Sequence, residues 1–153
     1  MKVIEVRTGH VILVEIIPAE LSDLKSGNFH FDWFQEVNHL VYKLQVVKTK
    51  EILGLLSLEV FYKERFIKIR LLAVSQDNKG KNKKFDDVAG NLIAFASKLA
   101  VYNFAEDACV VIRPKTLVSK HYQEKYKMKQ QGRLLSLEVP EILEVINRFD
   151  HDN

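Results

Sequence analysis

The sequence predicts a mixed α/β (α+β) domain in which an antiparallel meander feeds a crossover helix. Three observations lead there. The first half carries short β-branched and aliphatic runs broken by brief polar turns. A helical apolar stripe follows at residues 88–102. After it, one strand pattern, one helix pattern, another strand and a last helix alternate to the end. With 153 residues, the chain is long enough for one domain, 1–153, with its own core.

Taken in order, "MKVIEV" and "HVILVEIIP" read as strands. "PAELSDLKSG" has a proline at its start and a glycine at its end, the punctuation of a short helix. The aromatic "FHFDWFQEVNHL" reads as a helix packed over the sheet. "VYKLQVVKT", "EILGLLSLEVFYK" and "RFIKIRLLAVS" are strands joined by turns at "KTKE" and "KER". The third of these alternates at first and becomes continuously apolar from Leu71 to Val74. That change predicts a strand entering a two-sided core. The next helix rests on Val88, Leu92, Phe95, Leu99 and Tyr102, widened by Ala89, Ile93, Ala96 and Ala100. Asp86 and Asp87 suit its cap and first turn. "ACVVIRP" is a strand, "TLVSKHYQEKYK" a helix capped by Thr116, "GRLLSLEV" a strand and "PEILEVINRF" a closing helix.

Composition sets limits on function. Lys plus Arg outnumber Asp plus Glu by only 23 to 20, which gives no general case for nucleic acid. Cys109 stands alone, so no internal disulfide forms, which fits a reducing cytoplasm. Charges interrupt the apolar N-terminal run, so neither a signal peptide nor a membrane span is expected. His10, His30, His39, His121 and His151 lack metal-ligand spacing. Neither nucleotide-loop fingerprint is present, and no hydrolase nucleophile elbow appears.

The loop "VSQDNKGKNKKF" between strand and helix carries the functional signal. A polar, glycine-containing loop at a helix start aims free backbone N–H groups and the helix dipole at one point, a geometry suited to phosphate. Gly80 gives the backbone room to turn, and Lys79, Lys81, Lys83 and Lys84 add positive charge. The plain alternative is a solvated lysine-rich turn.

This stretch resembles the pyrophosphate-binding element of the GNAT N-acetyltransferase family. That family's pattern is Gln or Arg, two residues, Gly, one residue, then Gly or Ala, and "DNKGKN" fills the six places with Gly80 at the central glycine. Asp77 stands at the Gln/Arg place and Asn82 at the last. "EILGLLSLEVFYKERFIKIRLLAVSQ" is similar to the family's third and fourth strands, "FDDVAGNLIAFASKLA" to the helix after the loop, and "ACVVIRPKTLVSKHYQEKYKM" to the fifth strand and its helix. The likeness covers about residues 41 to 138.

The resemblance implies a sheet splayed between the family's fourth and fifth strands. Backbone groups of Leu72, Ala73 and Val74 would bond the pantetheine arm of acetyl-coenzyme A like an added strand. Backbone N–H groups of Asn78, Lys79, Gly80, Lys81 and Asn82 would hold its pyrophosphate. Tyr122 matches the family's proton donor to the leaving thiolate, with Tyr126 as a core rival. Lys127 replaces the usual glycine after this helix. Lys68 and Arg70 stand on the strand where the family often has a glutamate, so no base is assigned there; Glu59, Glu64 and His121 are the other titratable groups weighed. The implied partners are an amine acceptor, small molecule or protein, and a second copy in a homodimer. A competing reading keeps the fold without the chemistry, as an interaction module with an altered coenzyme A site.

Overall fold

The computed structural model describes residues 1–25, 29, 32–36, 38–79, 82–114 and 116–149. Its strands are β1 (Lys2–Glu5), β2 (Val11–Pro18), β3 (Leu40–Val46), β4 (Ile52–Phe61), β5 (Phe66–Val74), β6 (Phe85–Asp86), β7 (Cys109–Ile112), β8 (Lys129–Gln131) and β9 (Leu134–Glu138). The helices are α1 (Leu21–Leu24), α2 (Val88–Phe104), α3 (Thr116–Tyr126) and α4 (Glu141–Phe149). One mixed sheet runs β6-β1-β2-β3-β4-β5-β7-β9-β8. Its neighbours are antiparallel except β5 and β7, which run parallel because α2 crosses over between them.

Two details of β5 shape everything downstream. Against β4, Ser57 faces Leu71 while Leu58 faces Ile69, so Arg70 is the extra residue of a bulge. A bulge flips which residues face which side. Ile67 and Ile69 lie in the main core under α2; beyond the bulge Leu72 and Val74 pack there, while Leu71 and Ala73 turn to a smaller core on the other face. This parity change is why the strand reads as alternating and then continuously apolar. The second detail is that β7 pairs only with Ile67, Ile69 and the residue between them, ending at Ile112. Pro114 follows shortly and has no N–H to extend a ladder.

The main core lies between the sheet and α2, α4. Val88, Leu92, Ile93, Ala94, Ala96 and Ala100 are its buried apolar contribution from α2. Tyr102, expected in the stripe, is 87% exposed, and Phe95 and Leu99 are only partly buried. The sheet-facing side of α2 is thus rotated toward the alanines, since small residues let the helix sit close. Gly54 on β4 works the same way: a Cβ there would come within 2.9 Å of Leu92 and 3.0 Å of Val88. The stretch Val88–Asp107 is, against expectation, long and apolar enough to cross a membrane, yet half of its window is buried within the fold.

Further elements depart from the sequence reading. The helix expected at "FHFDWFQEVNHL" is a 3-10 turn, Trp33–Glu36, in its described part; residues 30, 31 and 37 lie outside the described set. Burial of Trp33 beside Phe29, Leu24, Leu55 and Ala73 ties this segment to the sheet within a few residues. Asp86 lies in β6, and Asp87 precedes α2 at φ 75° with no capping bond from its side chain. Thr116 is the first residue of α3 rather than its cap. A hairpin partner, β8, joins β9 where one strand was expected. Lys127 takes φ 58° just after α3, a left-handed position that favours glycine.

α4 packs Ile142, Val145 and Phe149 inward, one apolar stripe. Gly90 of α2 meets it, because a Cβ at Gly90 would overlap the Phe149 ring. Replacing a helical glycine by alanine ordinarily stabilises by about 0.5–1 kcal/mol. Here Gly90→Ala is expected to destabilise by about 1–3 kcal/mol through overpacking. Denaturant unfolding would show the loss, and Phe149→Leu in the same chain should recover most of it. A stabilising Gly90→Ala would refute this packing.

Candidate functional site

Beyond Ile69 and Ile112 the parallel strands part, and β5 runs on to Val74 without β7 beside it. The gap is a cleft of about 350 Å³. Leu72, Ala73 and Val74 form its β5 wall; Tyr122 and Val118 of α3 form the opposite wall, and Ala89 in the first turn of α2 closes one end. Lys79 and Arg113 stand at its rim, and Arg70 also lines it. Of the residues singled out in the sequence, the fold therefore gathers Leu72, Ala73, Val74, Lys79 and Tyr122 around one space.

The loop before α2 is built differently from the expectation. Its first part is a 3-10 turn, Gln76–Asn78. The Asn78 N–H donates to the Ser75 carbonyl at 2.9 Å and the Lys79 N–H to that of Gln76 at 3.4 Å, so both amides are already engaged. Asn78 is buried, donates its amide to Ser75 Oγ at 2.6 Å and accepts from the Phe85 N–H at 3.0 Å. It staples the loop's two ends together, a structural role in place of the anion contact expected of it. Gly80 and Lys81 lie outside the described residues, and Asn82 is exposed away from the cleft lining.

β6 then intervenes between loop and helix, pairing Phe85 with Glu5 and Asp86 with Ile4. The helix mouth is consequently fixed to β1. Asn91 reinforces this by donating to the Lys2 carbonyl at 2.8 Å and to the Asp87 carbonyl at 2.7 Å. The free amides of the first turn of α2 belong to residues 88–90, and Ala89 among them borders the cleft. Sequence reasoning missed Ala89 and Arg113; the short strand that brings Ala89 to the cleft is only two residues long.

Tyr122 is half-buried, and burial raises its hydroxyl above the ordinary value of 10.0. The phenol is therefore protonated across the neutral range. Its ring meets Tyr126 edge-on, with centroids 5.6 Å apart. Tyr126 is buried in the main core against Phe149 and is raised further, chiefly by desolvation. Cys109 is half-buried on β7, and burial, helped by Glu138 across the ladder, pushes its thiol up to about 11.

On the face of the sheet away from α2, an ion-pair cluster lies under the cleft. Glu36, only 6% exposed, accepts from Ser57 Oγ at 2.8 Å and from Arg70 Nε at 2.9 Å. Arg70 also reaches Glu59 at 3.4 Å. Burial opposes ionisation of Glu36, but the bonds from Arg70 and Ser57 and the charges of Arg70 and His39 outweigh it and hold the carboxyl below its ordinary 4.5.

Comparison with known structures places this architecture. A bacterial toxin matches at TM-score 0.65 and 11% identity, over 93% of this chain and 99% of that one. The ribosomal-protein-S18-alanine N-acetyltransferase from Escherichia coli matches at TM-score 0.59 and 12% identity, over 82% of this chain and 93% of that one. The fold is that of the GNAT N-acetyltransferases. A spermidine/spermine N-acetyltransferase from Vibrio cholerae shares the GNAT fold too, at TM-score 0.58 and 13% identity over 88% of this chain and 96% of that one. No protein-family model matches the sequence, and no curated protein does. At such identities the likeness is one of fold, and the GNAT frame puts the cleft between β5 and β7 where the splay was expected.

A carboxyl whose folded pKa is depressed contributes stability that is present above its unfolded value and lost as pH falls through the folded one. Stability should therefore drop on acidification below about pH 4.5, and Glu36→Gln should flatten that part of the profile. Denaturant midpoints measured from pH 6 downward test this; an unchanged slope in Glu36→Gln would contradict it.

Proposed function

We propose that this protein transfers an acetyl group from acetyl-coenzyme A to a primary amine. The observation that carries the reading is the parting of β5 and β7 beside Tyr122 and the mouth of α2. The lining suits such a donor: apolar backbone-rich walls in the middle, with Lys79 and the α2 amides at one end for phosphate charge.

Each residue has a role in this reading. Leu72, Ala73 and Val74 offer the backbone groups that β7 leaves unpaired to the amide-bearing pantetheine arm. Lys79 meets the phosphates from the rim. Acetyl-coenzyme A supplies a thioester whose carbonyl carbon takes the amine nitrogen as the C–S bond breaks. The Tyr122 hydroxyl gives its proton to the departing sulfur, and the proton released by the amine restores it. Burial of Tyr122 makes it a reluctant acid but keeps it loaded at neutral pH.

The second reading, an interaction module on the same fold, is favoured by Asp87. Its carboxylate precedes the first turn of α2, where it would repel a phosphate. Calorimetry with coenzyme A separates the two: binding supports the donor site, and its absence leaves the interaction module. Thiol release from acetyl-coenzyme A in the presence of amines then reports transfer.

Tyr122→Phe keeps the ring and its contact with Tyr126, so stability and coenzyme A affinity should hold while turnover falls about a hundredfold. Full turnover in that variant would remove Tyr122 from the chemistry. Because the hydroxyl is raised above 10.0, no loss of rate from its ionisation is expected between pH 7 and 9.5. A descending limb in that range that disappears in Tyr122→Phe would show an acid of ordinary or lowered pKa instead.

A further inference from the structure

The acyl-transfer reading leaves the acceptor open, and the bulge on β5 bears on it. Arg70 is the bulged residue, one position beyond the last pairing with β7, where the cleft begins. It lies about 13 Å along the strand from Val74, four residues at the extended rise. Lys79 and the α2 mouth belong to the far end of the cleft, whereas Arg70 and Arg113 each follow the last paired residues, Ile69 and Ile112, where the strands begin to part.

The guanidinium is held from below. Its Nε donates to Glu36, which Ser57 braces and which is itself buried. One terminal nitrogen leans toward Glu59 at 3.4 Å, a long contact. A guanidinium has five N–H donors in a rigid fork, and among the described residues these two contacts leave several of them uncommitted. The Arg70 side chain is 31% exposed, so they are within reach of a ligand. Glu36 is too deeply buried to meet a ligand, whereas the Glu59 side chain is 38% exposed beside Arg70. No carboxylate is among the described residues that line the cleft itself.

Direction of approach follows from the two faces. Ala89, Val118 and Tyr122 reach the cleft from helices, while Glu36, Ser57 and Glu59 gather on the opposite face of the sheet. A donor seated at the α2 mouth leaves that opposite face for the acceptor. We propose that Arg70 determines acceptor specificity by pairing with a carboxylate on the acceptor, so that the substrate is a small amine carrying a carboxylate, with Glu59 placed to meet its ammonium end. The proposal rests on the acyl-transfer reading. A polycationic amine would find Arg70 repulsive at the point of attack.

The test is calorimetric titration of the coenzyme A-loaded protein with several amino acids and, in parallel, with their amides. The acids should bind at least tenfold tighter, the scale of a charge-assisted fork. Arg70→Met alone would strand the buried Glu36 charge, so the informative variant is Arg70→Met with Glu36→Gln; retained coenzyme A binding reports its fold. The preference should vanish there and be weakened in Arg70→Lys, which keeps charge but loses the fork. Amides binding as tightly as acids, neither binding while coenzyme A does, or a preference that survives in the double variant would each overturn the proposal. Failure of coenzyme A to bind would instead overturn the acyl-transfer reading, and this proposal with it.

Discussion

The architecture depends on an incomplete ladder. β5 and β7 are the sheet's parallel pair, and their pairing ends at Ile69 and Ile112. A strand continuing alone through the middle of a sheet would normally be costly, because its backbone groups lose partners. Here the departure is built in from both sides. The bulge at Arg70 bends β5, and Pro114 ends the β7 ladder. The outcome is a gap edged by backbone polar groups and lined by apolar side chains, able to receive an extended amide-bearing ligand.

The walls of that gap are held by close packing. Gly54 lets the first turn of α2 lie directly on β4, and Gly90 lets α4 press Phe149 onto the same turn. Asn91 and the two residues of β6 fasten the helix mouth to β1 at the far edge of the sheet. Distant segments thus converge on one helix end, and a shift in any of them would move the amides that face the cleft. On the other face, Trp33 and its small core seat Glu36, which in turn holds Arg70. The α2 end and the Arg70 end of the cleft are therefore supported by separate pieces of structure.

Much of this was legible in the sequence. The period-two runs and the helical stripe gave the order of elements, and the apolar stretch Leu71–Val74 marked where β5 enters two cores. Tyr122 and the Leu72–Val74 wall are what the resemblance to the GNAT family implies. What escaped was tertiary in origin. Nothing local announces that Asn78 bonds to Phe85, or that a two-residue strand pins the loop to β1. Tyr102 kept the stripe's spacing yet faces outward, because the alanine side of α2 packs closer to the sheet. The aromatic segment around Trp33 looked helical, but burial of Trp33 and the pull of Arg70 on Glu36 suit a tight turn. Arg70 reads from the sequence only as a strand residue where the family often has a glutamate, since a bulge leaves no mark in composition.

The central claim is that the unpaired run of β5 is the donor's seat. Hydrogen–deuterium exchange of backbone amides, read residue by residue with and without coenzyme A, addresses it directly. If the account holds, the ligand slows exchange at Leu72–Val74 and at the first turn of α2, while β2 and β3 are unaffected. Unchanged exchange along β5 in the presence of saturating, bound coenzyme A would place the ligand elsewhere and contradict the account.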